Sequence, residues 1–213
     1  MLSSFAHRAT LLSVGLALLL VASNAALAHH PMGDMTPETL WQGLLSGIGH
    51  PVIGLDHLTF IIALGLFAAI HAKAGVWLLA GFLPATVAGS LLTVSGLALP
   101  GIEPGVALSV IVMGVLLLGG RSAQPLTLLL LAATSGLLHG LAYGEAVVGA
   151  EPTPIVAYLV GFLIIQAAIA LATQYVARSL PALWQAQRRA ANSRILGIAV
   201  STTGVAFLLH TLA

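Results

Sequence analysis

Long apolar stretches alternate with short polar turns along most of the chain. A helix that spans a bilayer needs about 20 consecutive apolar residues. Stretches that reach or approach this length after residue 43 cover residues 44–70, 76–94, 105–118, 126–143, 155–177 and 195–212. The turns between them collect Gly, Pro and nearly all the charged residues, which are typical loop formers. The pattern predicts an all-α integral membrane protein whose residues 44–213 form a single domain of six transmembrane helices.

The first apolar stretch has the features of a secretory signal peptide. His7 and Arg8 precede an apolar core over residues 11–22, and Ala26 and Ala28 stand as an A-x-A cleavage site. We therefore expect residues 1–28 to be a cleaved signal peptide and residues 29–43 to be an extracytoplasmic leader. An uncleaved anchor helix is the alternative, although the apolar core is short for a full span.

The composition supports the prediction of a membrane protein and restricts the ligands that a metal site can use. Hydrophobic residues make up 59% of the 213 residues, charged residues 6%, and the mean hydropathy is +1.06, values that a soluble domain of this length does not reach. The formal net charge of +1 gives no basic field for nucleic acid. Because cysteine is absent, a metal site must use nitrogen and oxygen ligands.

The charged residues predict how the helices are oriented. Cytoplasmic loops collect Lys and Arg, and a cleaved signal leaves the new terminus outside. The turns after spans one, three and five then face the cytoplasm, and they hold Lys73, Arg121, Arg178, Arg188, Arg189 and Arg194. The opposite side receives Asp34, Glu38, Glu103, Glu145 and Glu151. We therefore expect a multi-pass membrane protein with both termini of the mature chain extracytoplasmic.

Span one contains three polar residues that a bilayer makes expensive. His50, Asp56 and His57 lie within a segment that is otherwise apolar, and a carboxylate at such depth costs about 2.5 to 3.5 kcal/mol. In a straight helix the two histidines would be about 10 Å apart along the axis. Pro51 and Gly54 favour a kink or break between them. Such a break could draw His50 toward Asp56 and His57, or the three could form two successive stations along one face.

A second polar group lies in span four. His139 and, six residues later, Glu145 fall at the same predicted membrane depth as the polar residues of span one. The leader adds His29 and His30, which could collect cations outside the membrane. Imidazole and carboxylate ligands without thiolate suit divalent nickel, cobalt or zinc.

These residues carry a family resemblance. The segment "HPVIGLDH", His50 to His57, matches the HPxxGxDH signature of the HupE/UreJ family of nickel and cobalt permeases. The signal peptide, the six spans and the segment "GLLHGLAYGEA" are also similar to that family. The resemblance implies passage of nickel or cobalt across the inner membrane, with His50, Asp56 and His57 required and His139 and Glu145 as companions. After the signature, the chain departs from members that continue with Leu-Ala-Met, since Leu58, Thr59 and Phe60 stand there.

The sequence thus favours a permease that moves a divalent ion inward by facilitated diffusion or secondary transport. Its partners are the ion and the lipid bilayer, and no permanently bound cofactor is expected. A non-transporting metal sensor or assembly partner is the first alternative. An intramembrane hydrolase pairing Ser95 or Ser135 with His139 is the second, and the zinc-protease pattern H-E-x-x-H does not occur. We therefore do not expect an enzyme.

Overall fold

The computed structural model describes residues 35–119, 123–180 and 186–212. In this part of the chain there are seven helices and no strands. They are α1 Leu40–Ile53, α2 Leu55–Ile70, α3 Ala72–Val94, α4 Ile102–Gly119, α5 Pro125–Glu145, α6 Pro152–Ser179 and α7 Ala186–Leu212. The prediction of an all-α membrane protein is confirmed. Residues 1–34, with the predicted signal peptide and the histidines His29 and His30, lie outside the described residues.

Span one is broken. Helix α1 starts at a capping box in which Gln42 N–H donates to Thr39 Oγ1 and Thr39 N–H donates to Gln42 Oε1. It ends one residue before Gly54, where α2 departs at an angle of 77°. Five other helices are each long and apolar enough to cross a membrane, and α1 with α2 supplies a sixth crossing when the bent pair is counted as one span. The kink that Pro51 and Gly54 predict is therefore present.

Helix boundaries extend beyond the apolar stretches. The sequence predicts a loop over residues 178–194. From Ala186 onward this segment is helical, because α7 begins there. The short third stretch lengthens to Ile102–Gly119. At the end of α6, Arg178 Nη2 donates a hydrogen bond of 3.0 Å to the Ala68 carbonyl. Polar side chains that reach such partners allow a helix to continue past the apolar core, which hydropathy alone does not reveal.

Glycines bring the site-bearing helices into close contact. The α carbon of Gly47 in α1 faces the backbone of Tyr158 in α6, and that of Gly140 in α5 faces the backbone of Thr86 in α3. Any side chain at either position would collide with the neighbouring main chain. Small residues of this kind let membrane helices approach closely. The tight α1–α6 contact is what carries the Tyr158 side chain to the break in span one.

Charged side chains separate between the two ends of the bundle. We call the end where α1, α4 and α6 begin the acidic end, since it carries Glu38, Glu103, Glu145 and Glu151. The opposite end, the basic end, carries Lys73 and Arg178. The separation agrees with the charge pattern of the sequence. Which end faces the cytoplasm stays a prediction.

Candidate metal centre

The break in span one brings the two histidines of the signature together. His50 lies in the last turn of α1, whereas Asp56 and His57 lie in the first turn of α2. The ring centroids of His50 and His57 are 5.8 Å apart. The three side chains are at most 2% exposed. Of the two geometries that the sequence left open, the structure has the one in which the break gathers the polar side chains.

His50 is held by two tyrosines. Its Nδ1 lies 2.9 Å from the Tyr158 hydroxyl oxygen, and that hydroxyl donates a hydrogen bond of 2.7 Å to the Tyr143 carbonyl. All three groups are buried. The His50 ring is thereby tied through α6 to the backbone of α5.

His57 is held by His139. The two Nδ1 atoms are 2.8 Å apart, so one ring donates and the other accepts. On its other side, His139 Nε2 lies 2.9 Å from Ser109 Oγ, which donates to the Val106 carbonyl at 2.7 Å. His139 is fully buried. The predicted approach of His139 to the signature histidines is therefore observed.

Asp56 is placed where helix ends meet. Its Oδ1 accepts the backbone N–H of His57 at 2.8 Å, and the carboxylate occupies the first turn of α2. The positive end of the α2 dipole stabilises negative charge there, while the carbonyls at the end of α1 favour a cation. Broken helices with facing ends are a common arrangement for ion sites in transporters. The carboxylate thus adds negative charge beside two imidazoles.

Aromatic rings enclose the histidines. The Tyr143 ring centroid lies 4.5 Å from that of His57 and 5.1 Å from that of His50. Phe60 and Phe82 cover His139 at 4.6 Å and 5.5 Å. The Tyr143 hydroxyl is buried and has no hydrogen-bond partner among the described residues. The enclosure buries the histidines, so electrostatic interactions at this position are stronger than they would be in water.

Sequence reasoning missed the side chains that support the histidines. Tyr143, Tyr158 and Ser109 come from three other helices, and a span interior holds many residues of these types as ordinary packing. For two of them a signal existed: Tyr158 and Ser109 carry hydroxyls within apolar spans, where an unpaired hydroxyl is costly. The signal does not reveal the partner, because that depends on how the helices pack.

Glu145 lies apart from the buried histidines. It is exposed at the end of α5 and lines a cavity of about 510 Å³ at the acidic end, together with Glu103 and His210. Six residues of helix separate it from His139, which is about 9 Å along the axis. Glu145 therefore shares an end of the bundle with the centre but is not one of its enclosing side chains.

The described conformation does not contain a completed coordination site. Within residues 35–119, 123–180 and 186–212, no three His, Asp or Glu side chains surround a common point as metal ligands. His50, Asp56 and His57 are neighbours whose positions are set by hydrogen bonds to protein groups. An ion would have to rearrange some of these contacts to be held.

The serine–histidine pairs of the hydrolase alternative are not formed in the described conformation. The ring nitrogens of His139 lie at hydrogen-bond distance from His57 Nδ1 and Ser109 Oγ, not from Ser95 or Ser135. Ser95 is exposed, and its hydroxyl donates to the Leu91 carbonyl. Ser109, which does contact His139, donates to the Val106 carbonyl, whereas a nucleophilic serine must give its proton to the histidine.

Comparison with known proteins identifies the family of the chain. The model of the "HupE / UreJ protein" family matches residues 16–207. The chain is 28% identical to "Protein HupE" of Rhizobium leguminosarum bv. viciae over 169 residues, which cover 78% of this chain and 85% of that protein. No solved structure matches. The chain therefore belongs to the HupE/UreJ family, whose members are multi-pass proteins of the inner membrane and commonly nickel or cobalt transporters rather than enzymes.

Proposed function

We propose that this protein carries a divalent transition-metal ion, nickel or cobalt, inward through the site formed by His50, Asp56 and His57. The observation that supports this most strongly is the broken span. It buries two imidazoles and a carboxylate side by side within a membrane-spanning segment. An ionisable group at that depth is costly, and a passing cation offsets the cost.

The ligand chemistry supports the choice of ion. Neutral imidazole with carboxylate oxygen suits nickel and cobalt, and the chain has no thiolate for copper(I). Asp56 supplies the negative charge that compensates part of the ion's charge. The bundle therefore offers both the ligands and the counter-charge that a dehydrated divalent cation needs.

The ion enters, in this proposal, from the acidic end. Glu145, Glu103 and His210 line a cavity there, and the negative charges of the two carboxylates raise the local concentration of cations. His29 and His30 of the leader would add weak ligands on the same side. The ion then reaches His50, Asp56 and His57, and His139 supports the ring of His57.

Release of the ion requires that only a few protein ligands hold it at one time. An ion gripped by five protein ligands at once would not leave, and conduction needs binding weak enough for escape. The absence of a completed cage among the described residues is consistent with ligands that exchange during passage. An inside-negative potential favours inward movement by about 4.6 kcal/mol per 100 mV for a divalent ion, from about 2.3 per elementary charge. Facilitated diffusion is then sufficient for accumulation.

A liposome assay tests the proposal. Purified protein is reconstituted with a metal-sensitive dye inside, and nickel, cobalt, zinc or manganese is added outside. We expect nickel or cobalt to enter faster than in empty liposomes, and His50→Ala to abolish the difference. His71→Ala is the matched control, since His71 lies at the far end of α2. Entry no faster than in empty liposomes for every ion would overturn the proposal, and binding without entry would favour a metal sensor.

A further inference from the structure

Two chains of hydrogen bonds run from the signature histidines to backbone carbonyls. The first runs from His50 through Tyr158 to the Tyr143 carbonyl. A carbonyl oxygen only accepts, so the single hydrogen of the Tyr158 hydroxyl points at Tyr143. The Tyr158 oxygen must then accept from His50. His50 therefore carries its hydrogen on Nδ1, and in the neutral ring the lone pair is on Nε2.

The second chain fixes His57 in the same way through one more ring. The Ser109 hydroxyl gives its hydrogen to the Val106 carbonyl, so Ser109 Oγ accepts from His139 Nε2. Neutral His139 then has its lone pair on Nδ1, which accepts from His57 Nδ1. His57 also carries its hydrogen on Nδ1 and its lone pair on Nε2.

We propose that Tyr158 and Ser109 are positioning residues that hold both signature histidines in the Nδ1–H tautomer and direct two Nε2 lone pairs to the transported ion. The proposal rests on the transport function proposed above. A neutral imidazole has one lone pair, and the opposite tautomer would turn an N–H group toward the cation. His139 acts in this arrangement as the link between Ser109 and His57, because both of its ring nitrogens are used in hydrogen bonds.

The arrangement explains why hydroxyl groups are buried beside the histidines. Tyr158 and Ser109 are 0% and 5% exposed, and each accepts from one histidine while it donates to one carbonyl. Partners of metal-binding histidines contribute about 10- to 100-fold to metal affinity in other sites. The effect of Ser109 should be the smaller, because it acts on His57 through His139.

Nitrogen-15 NMR of the full chain in lipid bilayers tests the tautomers without transport. Histidines are labelled, the sample is free of metal, and signals are assigned with His50→Gln and His57→Gln. We expect His50 and His57 to be protonated on Nδ1, and His139 to be protonated on Nε2. Protonation of Nε2 in neutral His50 or His57 would overturn the proposal. The result is informative even if no ion is transported.

Transport assays of matched variants test whether the positioning residues affect the KM for the ion. Tyr158→Phe and Ser109→Ala should raise the KM for nickel or cobalt, by about 10- to 100-fold for Tyr158→Phe, and each should shift the tautomer of its histidine. Ser109→Thr keeps the hydroxyl and should restore both readouts. Tyr175→Phe and Ser201→Ala are controls, because Tyr175 is exposed and Ser201 packs against Gly114.

The outcomes separate this inference from the transport proposal. A wild-type protein that moves no ion contradicts the transport function, and the NMR result still decides the tautomers. Normal transport with unchanged KM and tautomers in Tyr158→Phe and Ser109→Ala contradicts the positioning role alone. Should Tyr158→Phe fail to fold, the wild-type tautomer measurement still decides.

Discussion

The two halves of the bundle differ in what fills the space between the helices. Toward the acidic end, hydrogen-bonded rings and hydroxyls surround the break in span one. Toward the basic end, an apolar cluster fills the interior, and its largest members are Phe60, Ile61, Leu64, Phe67, Leu78, Phe82, Met113, Leu117 and Leu128. Phe60 and Phe82 belong to this cluster and also contact His139. The apolar cluster thus begins directly beside the polar centre.

This contrast indicates that the two halves have different roles. In the proposed function, the polar half determines whether an ion binds, and the apolar half lies between that site and the basic end. Inward movement of an ion would then require the helices around Phe60 and Phe82 to rearrange. Substitutions in the two halves should have different consequences, and the four below are ordered by their expected effect on ion uptake.

Asp56→Asn should have the largest effect. The amide keeps the shape of the carboxylate but removes its charge. An interaction with a charged group contributes up to about 3 kcal/mol, so its loss lowers the affinity for the ion roughly 100-fold. The same change removes a buried charge, so the free energy of unfolding should not fall. Liposome uptake and thermal unfolding are measured together. Uptake within a few-fold of wild type would contradict a role for this charge.

Gly54→Ala should disturb the break itself. A methyl group at Gly54 would lie 2.6 Å from Cδ2 of His57 and must displace that ring. We expect roughly a tenfold rise in KM, at the lower end of the effects seen when the orientation of a metal-binding histidine is lost. Gly119→Ala is the matched control, because Gly119 has open space for an added methyl group: among the described residues, no atom of a neighbouring element lies within 4 Å of it. Equal KM values for the two variants would show that the geometry at the break does not matter.

Phe67→Leu tests the apolar half. Phe67 is fully buried in the apolar cluster, and a smaller side chain should lower the free energy of unfolding by about 1 to 3 kcal/mol through lost packing. The KM for the ion should stay within about twofold of wild type, since Phe67 is two turns further along α2 than Phe60, toward the basic end. Thermal unfolding and uptake kinetics distinguish these effects. A tenfold change in KM without loss of stability would contradict the claim that the apolar half affects stability rather than ion binding.

Glu145→Gln should have the smallest effect. The side chain is exposed, so its attraction for cations is screened by salt. We expect uptake to fall about twofold at low ionic strength and to match wild type at physiological ionic strength, where the screening length is about 8 Å. Initial uptake rates over a salt series measure this. Complete loss of uptake at every salt concentration would instead support direct ligation by Glu145.

The sequence predicted the features that depend on local chemistry. Pro51 and Gly54 indicated the kink, and the cost of a buried carboxylate singled out Asp56. The supporting contacts could not be predicted, since Tyr158 is 108 residues from His50 and Ser109 is 30 residues from His139. Their partners follow from the close α1–α6 approach at Gly47 and from similar helix contacts. Such packing depends on shapes along whole helices, which one apolar sequence does not reveal.

X-ray absorption of nickel or cobalt bound to the purified full chain tests the central claim most directly. The spectrum reports the atoms that surround the ion, and His50→Gln and His57→Gln identify their source. We expect imidazole nitrogen from two histidines with oxygen ligands completing the sphere, and the loss of one imidazole in each variant. A spectrum with oxygen ligands alone, or one that neither variant changes, would contradict the claim that the ion binds at the break in span one.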